Sequence, residues 1–258
     1  MIPSEILNYE YLLKSQDAVA EVVDFVTILG ILLLSLSIIG LAGYPVLKSA
    51  QETRYVENTR LSFVVMAESL NKVALGQSPS KSVELKMYGG SLNVNMDSSI
   101  KINATNSTNK EITLIDSSMG SIKNSIGDTV VAYEGTGVWV KYPSGVTLNA
   151  YRPLINNQSE VIVIPVVSIS GNSSMGGTGM ARIRAEGVPR VNSYNNMSNI
   201  TITIKSDYTE GWQDYFENIN EMGWKMSSSA GDTYTAVLNT SKNLDVYILN
   251  TEIYTEME

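Results

Sequence analysis

The side chains of this 258-residue chain that could do chemistry are carboxylates, hydroxyls and amides, because the sequence contains no Cys and no His. This composition removes disulfides, Ser-His-Asp triads and imidazole metal sites. Carboxylates could still serve as the paired acids of a glycoside hydrolase, which need a fixed separation in a cleft. The candidates for such a pair are Asp128, Glu134, Asp207, Glu210 and Asp214. The sequence has no calcium-loop spacing, so we predict no catalytic residue, no cofactor and no metal site, and a protein that is not an enzyme.

Seven Asn-x-Ser/Thr sequons offer a second kind of chemistry, the attachment of a glycan to an asparagine side chain. All seven follow the longest apolar run of the chain. Each marks either a glycan site on the surface of an exported domain or simply the polar composition of a turn. The asparagines concerned are Asn103, Asn106, Asn157, Asn172, Asn196, Asn199 and Asn239.

Charge and aromatic content narrow the possible partners. The formal net charge is −8 and no basic patch occurs, so we expect no nucleic-acid partner. Trp139, Tyr142 and Tyr151 could line a carbohydrate-binding face, but such residues more often form core and cross-strand pairs. The Gly-rich segment 170–180 lacks the Lys-Ser/Thr of a phosphate loop, which favours a flexible hairpin loop.

The element that must position these residues begins with an uncharged apolar run from Phe25 to Leu47. Its 23 residues would make a helix of about 35 Å, and the hydrocarbon core of a bilayer is about 30 Å thick. The run therefore predicts a membrane-spanning helix or the core helix of a filament. Membrane lipid is the expected partner of this segment.

Two acids, Asp17 and Glu21, precede the apolar run, and Asp24 adjoins it. Carboxylates at this place suit the headgroup level of a membrane and also the N-terminus of a helix, where the dipole favours negative charge. If the chain were cut after Gln16, Glu21 would be the fifth residue of the mature protein.

The segment AVAEVVDFVTILGILLLSLSIIG, residues 18–40, is similar to the N-terminal segment of archaeal type IV pilin-like proteins. The resemblance implies that residues 1–16 form a leader removed by a membrane prepilin peptidase. It also implies that the helix then becomes a filament core or a membrane anchor. In that family such a glutamate meets the free amine of an adjacent subunit, so Glu21 and Asp17 are the expected assembly residues.

The later part of the chain also carries a resemblance. The turn at Gly43–Pro45, the segment YEGTGVWVKYPSG at 133–145 and the order of the strands after it resemble the ectodomain of an uncharacterised archaeal family. Members of that family begin with a similar pilin-like helix. The resemblance implies no catalytic residues.

Periodicity predicts how the chain continues after the apolar run. Val56, Phe63, Leu70 and Ala74 share one helical face with Ala67, so we expect the helix to extend beyond the membrane and to end near Gly76. From Lys81 onward, short alternating segments rich in Val, Ile, Thr and Tyr predict antiparallel strands.

A single short amphipathic helix interrupts these strands. Its apolar face is predicted to hold Trp212, Tyr215, Phe216 and Ile219. The fold class is therefore α+β: a long N-terminal transmembrane and stalk helix followed by an antiparallel β-rich head with one short helix.

The predicted domain division has three parts: 1–16 as leader or cytoplasmic segment, 17–78 as transmembrane helix and stalk, and 79–258 as an extracellular head. We expect residues from Lys81 onward to fold by themselves as a soluble β domain. The N-terminus is expected inside and the head outside, although Lys48, Arg54 and Arg60 follow the span and positive-inside counting favours the reverse.

These observations predict a structural, pilin-like surface protein that is anchored by one helix and able to self-assemble through it. One alternative is a single-pass anchored ectodomain that never polymerises and binds a surface or a glycan. A carboxylate-based surface enzyme is a further alternative, because chemistry of that kind does not need His or Cys.

Overall fold

A computed structural model describes residues 4–158, 160–171, 174–218, 223–240 and 242–258, and of residues 4–19 only the helical backbone. By its internal contacts the chain forms two units, Met1–Thr53 and Arg54–Glu258. Within the described residues there are two α-helices and 14 β-strands. Helix α1 is Ser4–Ala74 and helix α2 is Thr209–Asn218. The fold is α+β, as the sequence predicted.

The strands all belong to the second unit. In chain order they are β1 (Ser80–Asn95), β2 (Ser99–Thr105), β3 (Glu111–Ser118), β4 (Ser121–Ile126), β5 (Thr129–Glu134), β6 (Gly137–Lys141), β7 (Thr147–Tyr151), β8 (Asn156–Gln158), β9 (Val161–Ser170), β10 (Ser174–Glu186), β11 (Pro189–Lys205), β12 (Trp224–Ala230), β13 (Thr233–Leu238) and β14 (Leu244–Met257).

Hydrogen bonds join these strands into one sheet, whose longest path runs β12-β13-β11-β14-β10-β1-β4-β5-β6-β7. Off that path, β2 pairs with β11 and β3, while β9 pairs with β14 and β8. Within the part of the chain that the structure describes, strand pairings are antiparallel except that of β9 with β14, which is parallel. The antiparallel character follows from short connections rich in Gly, Asn and Ser, which return the chain beside itself.

Helix α1 ends where the sequence predicted. Gly76 has a φ of 72°, a left-handed conformation that glycine adopts without a side-chain clash. The main-chain amides of Gly76 and Gln77 donate to the carbonyl oxygens of Val73 and Lys72 at 3.0 and 2.8 Å. The hydroxyl of Thr251 on β14 donates to the carbonyl oxygen of Ala74 at 2.7 Å, which satisfies one more of the carbonyl groups left unpaired at the end of the helix.

Two hydrophobic cores lie within the second unit, and strands β5 and β6 contribute to both because alternate residues face opposite sides. The α1 core packs the last part of α1 against β1, β4, β5, β6 and β10. The α2 core packs α2 against β2, β11, β13 and the first half of β14. Trp212, Tyr215 and Phe216 are buried in the α2 core as predicted, while Ile219 lies outside the described residues.

The predicted apolar face of α1 is buried in the α1 core. Phe63, Met66 and Leu70 have no exposed surface at all. The second unit therefore begins at Arg54, inside the helix, whereas the sequence predicted a division at 78/79. The reason is that helix and sheet share one core, so residues from Lys81 onward lack the apolar side chains that cover β1, β4 and β5.

Candidate functional site

The apolar segment of α1 is exposed on every side. All residues from Ala20 to Ala50 are exposed, and the large apolar side chains from Val22 to Leu47 retain 43% to 80% of their accessible surface. Within the described residues, α1 is the one helix long and apolar enough to cross a membrane, by length and composition.

The polar atoms inside this apolar segment are satisfied by the helix itself. Thr27, Ser35 and Ser37 each donate a side-chain hydrogen bond to the carbonyl oxygen four residues earlier, at 2.7 to 2.8 Å. Such bonds remove the cost of placing a hydroxyl in a medium without water. A Cβ built at Gly30 or Gly40 would meet no atom within 4 Å, so these glycines leave room for a neighbouring helix.

The two predicted assembly residues lie at the start of this segment. Glu21 is exposed on α1, one residue after the first described side chain at Ala20. Asp17 belongs to the helix, but its side chain lies outside the described residues, as do the side chains of the predicted leader. Their pairing between subunits therefore stays a prediction.

A second polar feature lies in the head, around Glu134 at the end of β5. Its side chain is 1% exposed, and Oε1 accepts hydrogen bonds from the Ser206 hydroxyl at 2.6 Å and the Trp212 indole at 3.0 Å. Burial raises the pKa of Glu134 to about 7, against the opposing effect of these hydrogen bonds, and the nearby charge of Asp207 adds to the rise. The Trp139 indole donates to the main-chain oxygen of Glu134 at 3.1 Å.

Glu134 was among the residues that the sequence suggested, but Ser206, which organises the site, was not. The Ser206 hydroxyl donates to Glu134 and also accepts from the main-chain amide of Tyr208 at 2.9 Å. The Thr209 hydroxyl donates to the main-chain oxygen of Ser206 at 2.7 Å. A serine just ahead of an amphipathic helix, whose hydroxyl can accept from the amide two residues later, is a turn signal that could have identified it.

A recess of about 130 Å³ opens beside Glu134, lined also by Ser98, Lys205, Asp207 and Asp232. Lys205 forms an ion pair with Asp232 at 3.5 Å. Among the described residues, no three acidic side chains are grouped so that they could hold a metal ion. With Glu134 buried and bound through Oε1, the arrangement fixes the start of α2 to the end of β5.

Four of the five carboxylates that the sequence suggested for glycoside chemistry, Glu134 included, line recesses that share Asp207. Glu210 and Asp207 line one recess, and Asp128 lines a neighbouring one together with Asp207. Asp214 lies on the exposed face of α2, where it accepts a hydrogen bond from Asn218 at 2.8 Å. Asp214 is therefore not part of either recess as described.

The three aromatic residues considered for a carbohydrate-binding face differ in burial. Trp139 has no exposed surface and lies 4.8 Å from Trp212, measured between ring centroids. Tyr142 and Tyr151 are half-buried and pack against the α1 core. Trp139 is thus a core residue, which is the more common of the two roles that the sequence allowed.

The sequon asparagines differ in exposure. Asn196, Asn199 and Asn239 are exposed, while Asn103, Asn106 and Asn157 are half-buried. Asn172 lies outside the described residues.

The fold and the exposed segment define a class of protein: a β-rich domain preceded by one N-terminal helix that is long and apolar enough to span a membrane. Residues 18–256 match the model of a family of unknown function, DUF7289, and the chain belongs to that family. No curated protein and no solved structure matches the chain.

Proposed function

We propose that this protein is a structural surface protein of the type IV pilin-like kind, anchored in a membrane by α1 with its head outside and able to self-assemble through α1. The observation that carries the proposal is the uncharged run from Phe25 to Leu47, whose side chains are all exposed. Removing apolar surface from water is favourable by about 25 cal/mol per Å², so such a run needs lipid or neighbouring helices around it.

The hydroxyl residues and glycines within the apolar run are compatible with surrounding lipid and with neighbouring helices. Hydroxyls that are bonded to their own helix tolerate hydrocarbon, and glycines with open space above them allow a second helix to approach closely. A membrane anchor needs only the hydroxyls that are bonded to their own helix, whereas a filament core also uses the open space above the glycines.

Glu21 distinguishes these two uses of the helix. A carboxylate carried among packed apolar helices is costly unless it is paired. Cleavage after Gln16 would create a free amine at Asp17, four residues before Glu21 in the sequence, and a neighbouring subunit's amine would neutralise Glu21. The same pairing would fix the axial step from one subunit to the next.

The test of self-assembly compares surface filaments, counted by electron microscopy, in cells producing the wild-type protein, Glu21→Ala or Glu21→Gln. We expect Glu21→Ala to abolish filaments and Glu21→Gln to reduce them, with protein level and membrane insertion unchanged. Glu52→Ala is the matched control, because Glu52 is also exposed on α1 and pairs only weakly with Lys48 at 3.8 Å. Equal filament numbers in all strains, or none in any, would leave the alternative of a single-pass anchor that does not polymerise.

Two further measurements test the anchor and its direction. Protease added to intact cells should digest the head, and a fully protected head would contradict the proposed topology. The mature N-terminus, measured by mass spectrometry, should lie at Asp17 if the leader is removed. An intact Met1 would contradict processing while leaving the anchor itself in place.

A further inference from the structure

Five of the seven sequon asparagines, which come from three distant parts of the sequence, lie around one irregular stretch of β11. We call this group the sequon patch. Its members are Asn103, Asn106, Asn196, Asn199 and Asn239.

The centre of the patch is the bulged part of β11. Asn196 and Asn199 have φ values of 57° and 47°, in the left-handed region that asparagine tolerates better than most residues. The register of β11 shifts here against both β14 and β2, which is the mark of a bulge. The Asp245 carboxylate accepts a hydrogen bond from the main-chain amide of Asn196 at 3.1 Å and so fixes the bulge. Both asparagine side chains are exposed.

Strand β2 brings two more asparagines to the bulge. Thr105 is paired with Ser198, and Asn103 is paired with Thr201. Asn106 follows Thr105 directly, at the start of the turn between β2 and β3. Because paired Cα atoms lie about 5 Å apart and successive Cα atoms 3.8 Å apart, Asn106 lies on the order of 10 Å from Asn199.

Strand β13 brings the fifth asparagine from the other side of β11. Leu238, the last residue of β13, is paired with Ile200. Asn239 follows Leu238 and Asn199 precedes Ile200, so the two asparagines lie opposite each other across the antiparallel pair. Asn239 is exposed.

The patch members differ in how their side-chain amides are engaged. Asn103 donates from Nδ2 to the Glu111 carboxylate at 2.9 Å, and its Oδ1 is buried. Asn106 instead uses Oδ1, which accepts from the Thr108 hydroxyl at 2.7 Å and from the amides of Thr108 and Lys110 at 3.0 Å. Its Nδ2 makes no hydrogen bond within the described part of the chain. The nitrogen that would receive a glycan is therefore engaged in Asn103 and available in Asn106.

We infer that the sequon patch is a glycan-bearing surface, with acceptors at Asn106, at the β11 bulge and at Asn239, and with Asn103 unmodified. In each transfer the asparagine Nδ2 attacks the anomeric carbon of an oligosaccharide carried on a polyprenyl phosphate. A carbon–nitrogen bond forms, Nδ2 loses one proton to a base of the transferring enzyme, and the carbon–oxygen bond to phosphate breaks. The polyprenyl phosphate leaves with the electron pair. The inference rests on the proposed function, because the acceptors must reach the outer side of the membrane.

Such a surface constrains how copies of the chain can pack. Several hydrophilic glycans within about 10 Å of one another would keep water over this part of the head. Contacts between subunits would then use other faces of the head or α1.

Trypsin separates the acceptors conveniently, since peptides 102–110, 191–205 and 226–242 together contain the whole patch. The full chain would be purified from the membranes of its own cells, and the three peptides analysed by mass spectrometry. We expect a glycan on each of the three, and one rather than two on peptide 102–110.

A matched set of variants assigns the glycan on peptide 102–110 without altering either asparagine. Thr108→Ala removes the sequon of Asn106 and should remove the glycan, whereas Thr108→Ser keeps the sequon and should retain it. Thr105→Ala removes the sequon of Asn103 and should leave the glycan in place.

Either of two results would overturn this inference and leave the proposed function standing. One is loss of the glycan in Thr105→Ala. The other is three unmodified peptides from protein whose head is digested by protease on intact cells. Unmodified peptides together with a head protected from that protease would overturn the proposed topology as well. Glycans confined to Asn157 or Asn172 would also contradict the patch.

Discussion

The phenol of Tyr133 on β5 donates a hydrogen bond of 2.9 Å to the side-chain oxygen of Asn71 on α1. The amide of Asn71 in turn donates to the main-chain oxygen of Thr136 at 3.0 Å, and all three residues are buried. Burial raises the pKa of Tyr133, so its phenol stays protonated and remains a donor. A polar pair of this kind inside the α1 core fixes the position of the helix along the sheet.

Replacing Tyr133 by Phe should destabilise the head by about 1 to 3 kcal/mol, because the oxygen of Asn71 would stay buried without its donor. Urea unfolding of the full chain in detergent measures this change. Tyr247→Phe is the control, since Tyr247 is half-buried on β14 and its phenol makes no hydrogen bond with the described residues. Equal midpoints for the two variants would show that the bond contributes nothing.

Two leucines on α1 test how much the helix contributes to the core. Leu70 is fully buried and Leu61 is 50% exposed. Leu70→Ala should cost about 2 to 5 kcal/mol through lost apolar contact and the cavity it leaves, whereas Leu61→Ala should cost much less. Thermal unfolding of both variants under identical conditions is the measurement. A similar loss for both would contradict the burial of this helix face.

Fragments test where the second unit begins. A fragment from Arg54 to Glu258 keeps the buried face of α1 and should fold cooperatively with the β-rich circular dichroism of the head. A fragment from Lys81 lacks Phe63, Met66 and Leu70, so it should expose the α1 core, bind hydrophobic dyes and unfold at a lower denaturant concentration. Equal stability of the two fragments would support the division at 78/79 that the sequence predicted.

The carboxyl group of Glu134 should make stability depend on pH. Its pKa rises from 4.5 to about 7 on folding, so between these values the folded protein binds more protons than the unfolded chain. Stability should therefore be highest at the acidic end and fall as the pH rises from about 4.5 to about 7, by about 3 kcal/mol. Denaturant unfolding measured across this range would show the slope.

Glu134→Gln removes the titration but keeps an oxygen that can accept from Ser206 and Trp212. The slope between pH 4.5 and 7 should flatten in this variant, while Glu256→Gln, at an exposed position on β14, should retain it. A Glu134→Gln variant with the wild-type slope would assign the pH dependence to other groups.

The helices and strands of this fold could be predicted from local sequence patterns. The uncharged run from Phe25 to Leu47, the stop at Gly76 and the alternating strands are visible in the sequence because each depends on neighbouring residues alone. The face of Trp212 and Phe216 was predictable for the same reason. Each of these segments carries its own periodicity, so no knowledge of distant partners was needed.

Long-range pairing was not predictable in the same way. Nothing in the local sequence indicates that Leu238 pairs with Ile200 or that β9 runs parallel to β14. Register depends on which strands meet, and that is decided by the whole sheet. The burial of Glu134 and the convergence of the sequons follow from these pairings, so a sequence pattern alone could only present them as separate residues.

The parallel pairing of β9 with β14 determines the order in which the head can be completed. Strand β14 follows every other described strand in sequence, yet it lies between β9 and β11 and its end pairs with β10. During synthesis these three strands emerge first and must wait for Leu244–Met257 before their edges are closed. The sheet therefore cannot form progressively as the chain emerges, and the final closure is a late, non-local step.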